Sequence, residues 1–196
     1  TLFLIPGEAF IQGTNINTGN LTTSGFDVNA SYTFDLADLG LGNVGDVRLG
    51  YIATFLSELS EQSLPGNPAI DCAGFHGGAC DNPSPEYRHR VNVGWGIGSL
   101  STTLSWRYLS SVEEYSTSPT DVNFLDATSY FDLSAQYELS NGVELRAGVN
   151  NILDRDPPLT SLAGFGGGED AGRGNTYPQI YDAQGRYVFA GATVKF

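Results

Sequence analysis

The sequence predicts an all-β protein, an antiparallel up-and-down stretch of wall from a transmembrane β-barrel. Three observations predict it: apolar and polar residues alternate with period two in seven windows, long and short connections alternate between them, and the composition suits strands and turns. Glycine makes up 25 of the 196 residues, aromatics are 12% and methionine is absent, a mixture that disfavours helices. No run approaches the ~18 consecutive apolar residues of a spanning helix, which excludes an α-helical membrane protein and leaves a β-barrel open.

The first window is 26–34, where Phe26, Val28, Ala30, Tyr32 and Phe34 oppose Asp27, Asn29, Ser31 and Thr33. In 47–55 the apolar set is Val47, Leu49, Tyr51, Ala53 and Phe55, and in 91–97 it is Val91, Val93, Trp95 and Ile97. Thr102, Leu104, Trp106 and Tyr108 form one face of 102–108, and Phe131, Leu133, Ala135, Tyr137 and Leu139 one face of 131–139. Val143, Leu145, Ala147 and Val149 follow, and Val188, Ala190, Ala192, Val194 and Phe196 close the chain. The charged residues of these windows, Asp27, Arg48, Arg107, Asp132, Glu138, Glu144, Arg146 and Lys195, all fall on the less apolar face; Ile52 and Phe189 sit on the wrong side.

Alternation alone does not separate a barrel from a sandwich, since both have two-sided strands. The connections do. They run from about a dozen residues (35–46) to long (56–90), very short (98–101), long (109–130), very short (140–142) and long (150–187). All long loops therefore leave one end of the sheet, as in a membrane barrel with short periplasmic turns and long external loops. Ser140-Asn141-Gly142 and Gly98-Ser99 supply residues tolerant of positive φ for the tight hairpins. Trp95, Trp106, Tyr108, Tyr51 and Tyr137 lie on the apolar face, where membrane interfaces place aromatics. If that face meets lipid, Trp95, Leu104, Trp106 and Leu133 are not buried under a second layer of protein.

The net charge is −13, and no basic stripe exists to neutralise phosphates, so nucleic acid is not a partner. The long loops 56–88, 110–128 and 153–180 hold thirteen acidic residues against three arginines, −10 of that total. Cys72 and Cys80 lie in the first of these loops. A disulfide is the favoured pairing in an oxidising compartment; a zinc set with His76 and His89 is the alternative, although the cysteine spacing is not that of a zinc knuckle.

The last third resembles the end of TonB-dependent outer-membrane receptors. The residues that carry the resemblance are Tyr130-Phe131-Asp132-Leu133-Ser134-Ala135, the run from Leu145 to Pro158 with Asn150-Asn151-Ile152-Leu153-Asp154-Arg155 at its centre, Gly174-Asn175-Thr176-Tyr177-Pro178, Tyr181-Asp182 and the closing Phe196. Upstream, Gly25-Phe26-Asp27, Arg88-His89-Arg90 and Trp106-Arg107-Tyr108 are similar as well, so the likeness covers residues 15 to 196 outside the long loops. It implies a 22-stranded transporter barrel, of which residues 1–196 are the C-terminal portion, about its last seven strands. The family's N-terminal plug domain and energy-coupling box are not in this chain, which begins at Thr1 without a signal segment and is expected to be a fragment. Phe196 resembles the family's signal to the barrel-assembly machinery.

Candidate chemistry is sparse. Gly164-Phe165-Gly166-Gly167-Gly168-Glu169-Asp170 lacks the Lys and Ser/Thr of a phosphate-binding loop and reads as a flexible external loop. Glu113-Glu114 and Asp154 with Asp156 are paired carboxylates with no visible nucleophile; the latter pair suits a strand-to-loop transition stopped by Pro157-Pro158. Arg48, Arg107, Glu144 and Arg146 are expected to line a lumen, paired across the wall or touching a plug. No enzyme, cofactor or metal site is expected. The resemblance implies uptake of a scarce small-molecule nutrient such as an iron chelate, cobalamin or an oligosaccharide, with the three long loops as ligand-binding candidates. It also implies partnership with outer-membrane lipid, lipopolysaccharide and the TonB complex. A passive porin-type barrel and a secreted β-sandwich are the competing readings.

Overall fold

The structure, a computed structural model, describes residues 19–115, 124–139, 142–160 and 175–194. Among them are strands β1 (Asn20–Asp35), β2 (Asp46–Gln62), β3 (Ile70–Asp71), β4 (Phe75–His76), β5 (Tyr87–Ile97), β6 (Leu100–Leu109), β7 (Val112–Glu114), β8 (Phe124–Leu125), β9 (Thr128–Glu138), β10 (Val143–Asn150) and β11 (Tyr187–Val194). Seven of them pair in the order β1-β2-β5-β6-β9-β10-β11, each antiparallel to its neighbour, with β3 set against β2. These seven are the strands that the alternation predicts.

Their register turns alternation into rows. One row crosses the whole sheet through Tyr32, Leu49, Val93, Leu104, Leu133, Val149 and Val188. Its neighbour one residue along is polar and small: Thr33, Arg48, Gly94, Thr103, Ser134 and Gly148, ending at Phe189. Phe189, the exception on the polar face, is opposite Gly148, and its ring occupies the space a side chain there would need, 2.5 Å from an added Cβ. An aromatic ring thus fills the gap a strand glycine leaves.

Among the described residues no second layer covers the apolar face. Leu104 keeps 41% of its surface exposed, Leu133 45% and Val188 70%, and neither Trp95 nor Trp106 is buried. The face spans β5 from Tyr87 to Ile97, which at ~3.3 Å per residue and a ~40° tilt is a band about 25 Å tall, the height of a lipid-facing barrel belt. Aromatics crowd its upper end, where Tyr51, Tyr87, Trp106 and Tyr108 surround His89. Trp95 lies toward the other end and donates its indole N–H to the Val44 carbonyl at 2.9 Å.

At the tight turns Gly98 and Gly142 have the expected positive φ, while Ser140 and Asn141 lie outside the described residues. Gly98, with φ 55°, joins β5 to β6, and Gly142, with φ 78°, precedes β10. Between β1 and β2 a 3-10 turn (Leu36–Leu39) is capped by the Asp35 carboxylate, which accepts from the Ala37 N–H at 2.8 Å.

The strand boundaries differ from expectation at one edge. β2 continues to Gln62, seven residues into the segment 56–88 assigned to a loop, and pairs with β1 on both sides of Ser57. A bulge at Ser57 of β2, opposite Ser24 and Gly25, explains the misreading, because it shifts the register and ends strict alternation there. Gly25 is required at that bulge, since a Cβ would lie 2.2 Å from the Phe55 carbonyl oxygen.

Candidate functional site

The long connections 63–86, 110–127 and 151–186 all leave the same end of the sheet, and they are joined to one another rather than splayed. The first two contain short strands that the alternation did not predict. There β4 runs parallel to β7, which pairs antiparallel with β8, forming a separate three-stranded sheet. Strands of two or three residues carry no readable periodicity, so sequence pattern had no means of finding them.

The first loop is held by a Cys72–Cys80 disulfide, both cysteines being buried. The bond removes their thiolates from any zinc set, and His89 lies on the sheet's apolar face, in the row Val28-Ala53-His89-Tyr108. The Glu113 N–H donates to the Gly74 carbonyl at 2.8 Å and the Tyr115 N–H to the His76 carbonyl at 2.7 Å, locking the second loop to the first. The third loop docks through Tyr177, whose hydroxyl is 3.2 Å from His76 Nδ1, and through Gln179, which donates to the Asn82 side-chain oxygen. His76 is wholly buried at the meeting point of all three loops. Burial holds its pKa below the ordinary histidine range, with the Glu114 carboxylate acting in the opposite sense.

A small core forms where the loops meet. Val112, Leu125, Tyr177 and Tyr181 are buried together, with Leu109 and Ile180 packed against them. Burial and the neighbouring Tyr130 and Tyr177 push the Tyr181 hydroxyl up, so it stays uncharged. Leu109 lies in register with Arg88, on the sheet's polar face, so this core caps the polar side of the wall. The segment from Tyr177 to Asp182 is pinned there by Arg107. That guanidinium donates twice to Asp132, at 2.9 and 3.2 Å, lies 3.5 Å from Asp182 and sits over the Tyr130 ring at 5.0 Å. The Asp182 N–H in turn donates to the Tyr130 hydroxyl at 3.2 Å.

The base of the third loop is built by the motif residues around Asn151. Its N–H donates to Asp132 Oδ1 at 2.9 Å, and its side-chain amide exchanges two 2.9 Å hydrogen bonds with the Arg155 backbone. Asn151 and Asp154 both have positive φ, 50° and 55°, a region that Asn and Asp tolerate better than other residues with side chains. Asp154 then pairs with Arg186 at 3.1 Å, so that carboxylate ties the loop's two ends together. Glu113 and Glu114 are consecutive on β7 and point to opposite faces, so they do not form a converging acid/base pair. The glycine-rich segment 164–170 and Phe196 lie outside the described residues.

Of the expected lumenal charges, Arg48 pairs with Asp46 at 2.9 Å, Arg107 pairs as above, and Arg146 lies along Gly191. The polar face also carries Arg88 and Arg90, which the window starting at 91 missed. Extending the alternation three residues toward the N-terminus would have found both. They border a recess of about 390 Å³ that Ile52, Thr54, Leu109, Tyr130 and Ile180 also line.

An apolar belt, a charged opposite face and long loops gathered over that face define a wall of a lipid-spanning β-barrel. Residues 3–152 match the family described as TonB dependent receptor-like, beta-barrel, and the chain belongs to that family. It is a family of receptors and transporters rather than enzymes. Among solved structures, the ferric enterobactin receptor PfeA of Pseudomonas aeruginosa (a G324V mutant) shares the fold at 13% identity and a TM-score of 0.55, over 90% of this chain. The chain spans 22% of that receptor's length. No curated protein sequence matches.

Proposed function

We propose that this chain supplies part of the wall and outer mouth of an active receptor in the bacterial outer membrane, one that captures a scarce small-molecule nutrient and imports it with energy from the TonB complex. The observation that carries the reading is family membership over residues 3–152 in a sheet whose apolar face none of the described residues covers. Among the described residues the outer strands β1 and β11 each leave one edge unpaired. Lipid does not tolerate open strand edges, so further strands of the same protein complete the wall. A plug domain elsewhere in that protein closes the lumen and contacts TonB, and Phe196 serves as the signal to the barrel-assembly machinery. The three long loops form the capture surface, and their acidity suits divalent-ion bridging to lipopolysaccharide. An iron chelate, cobalamin or an oligosaccharide fits the reading, and the named ligand of the structural neighbour favours the first.

The test is growth and radiolabelled uptake in a strain lacking the full-length gene, with and without TonB. Restoration of uptake only when TonB is present supports the reading. Uptake that persists without TonB, or steady conductance in liposomes, overturns it in favour of a passive pore.

A further inference from the structure

Arg88 and Arg90 are two residues apart on β5, so both side chains leave the sheet on the same side, about 7 Å apart along the strand. Register places them beside Thr54 and Ile52 of β2 on one side and Leu109 and Arg107 of β6 on the other. Among the described residues neither has a hydrogen-bond or ion-pair partner, and both are exposed. The acidic groups around them are already engaged. Asp132 and Asp182 hold Arg107, and Asp27 accepts from the Thr54 hydroxyl at 2.7 Å, one strand further from Arg88. In a chain of net charge −13, two neighbouring guanidiniums without a carboxylate stand out against the local trend.

The surroundings are not those of a purely ionic patch. Ile52, 51% exposed, breaks the polar pattern of its face and lines the same recess as both arginines. Leu109, Tyr130 and Ile180 supply further apolar wall. Its volume of about 390 Å³ falls in the range of small-molecule sites, which combine apolar walls with a few fixed polar groups. Guanidinium forks match the geometry of carboxylates and similar oxyanions.

We infer that Arg88 and Arg90, with the recess beneath the Tyr177–Asp182 segment, form a binding site for an organic anion, a carboxylate or equivalent oxyanion carried on an apolar body. This inference rests on the receptor reading, of which it names the ligand chemistry. The same carboxylate chemistry has a second source, an acidic side chain from another part of the full-length protein, and the experiment separates the two.

The full-length receptor in detergent micelles is titrated with 4-phenylbutanoate and with its neutral amide, at low and high salt. The carboxylate should bind at least tenfold more tightly than the amide, and salt should erode the difference. In the R88Q/R90Q variant that preference should vanish while amide binding holds, and R146Q, on the same face but away from the recess, should retain it. Equal binding of the two probes, or a preference that survives R88Q/R90Q, overturns the site. So does exclusion of both probes from the wild type together with a lowered melting temperature in R88Q/R90Q, the signature of an internal acidic partner. Because binding is measured without energisation, its failure is independent of TonB-dependent uptake, which tests the parent reading separately.

Discussion

Replacing Leu104 by arginine should destabilise the barrel far more than the same change at its neighbour Thr103. Leu104 is the fifth of ten residues in β6 and the centre of the seven-residue apolar row, so it sits near the middle of the lipid belt. With 41% of its surface left for lipid to cover, and about 2.5 kcal/mol for covering a whole leucine, the lost apolar contact is worth about 1 kcal/mol. An arginine at the bilayer midplane adds about 2–4 kcal/mol. The total for Leu104→Arg is about 3–5 kcal/mol. Thr103 faces the other way, between Gly94 and Ser134, where an arginine has room and water, and Thr103→Arg should cost less than about 1 kcal/mol. The assay is urea unfolding of the full-length protein refolded into lipid vesicles, read by tryptophan fluorescence. Equal destabilisation by the two substitutions, or a larger loss at Thr103, would refute the assignment of the apolar face to lipid.

Other parts of the structure make equally definite predictions. Replacing Cys72 and Cys80 by serine opens a link of sequence separation 8, which should cost the first loop about 2.5 kcal/mol of order; amide-exchange protection should fall across 70–86 while the barrel's unfolding midpoint holds. Asn151→Ala removes two hydrogen bonds to Arg155 and leaves a side chain at positive φ, a loss of about 2–3 kcal/mol; Asn151→Gly should recover only the backbone part, as seen in protease susceptibility near residue 155. Because burial lowers the His76 pKa, the docked loops favour the neutral ring, whereas an undocked His76 takes a proton near pH ~6.5. Loop docking should therefore be pH-independent above ~6.5 and weaken below it, by at most about 1.4 kcal/mol per pH unit, until the folded pKa is reached. Exchange at 75–76, corrected for intrinsic rates, should show this in the wild type and not in His76→Phe; docking that strengthens in acid would mean that Glu114 governs the site instead.

The two exceptions to the alternation are as instructive as the rule. Phe189 is on the polar face because Gly148 opposite leaves a gap for its ring. Ile52 is there because it lines the recess beside Arg88 and Arg90. Neither reason can be read along the chain, since each depends on a residue brought opposite by strand register. The motif Arg88-His89-Arg90 shows both sides of this. Alternation alone separates its arginines from its histidine, but that the arginines lack carboxylate partners among the described residues depends on how β2, β6 and the third loop surround them.

The sequence by itself determined the seven wall strands, their two faces, the end from which the long loops leave and the family. These are properties of local periodicity and of side chains whose partners are solvent or lipid, so neighbours in sequence suffice to specify them. Only the tertiary structure decided that the loops interlock around His76, that Arg107 pins Asp182 and that β2 bulges at Ser57 opposite Ser24 and Gly25. Each of those joins residues tens of positions apart through one or two hydrogen bonds or a close backbone approach, and such pairings leave no period in the chain that makes them.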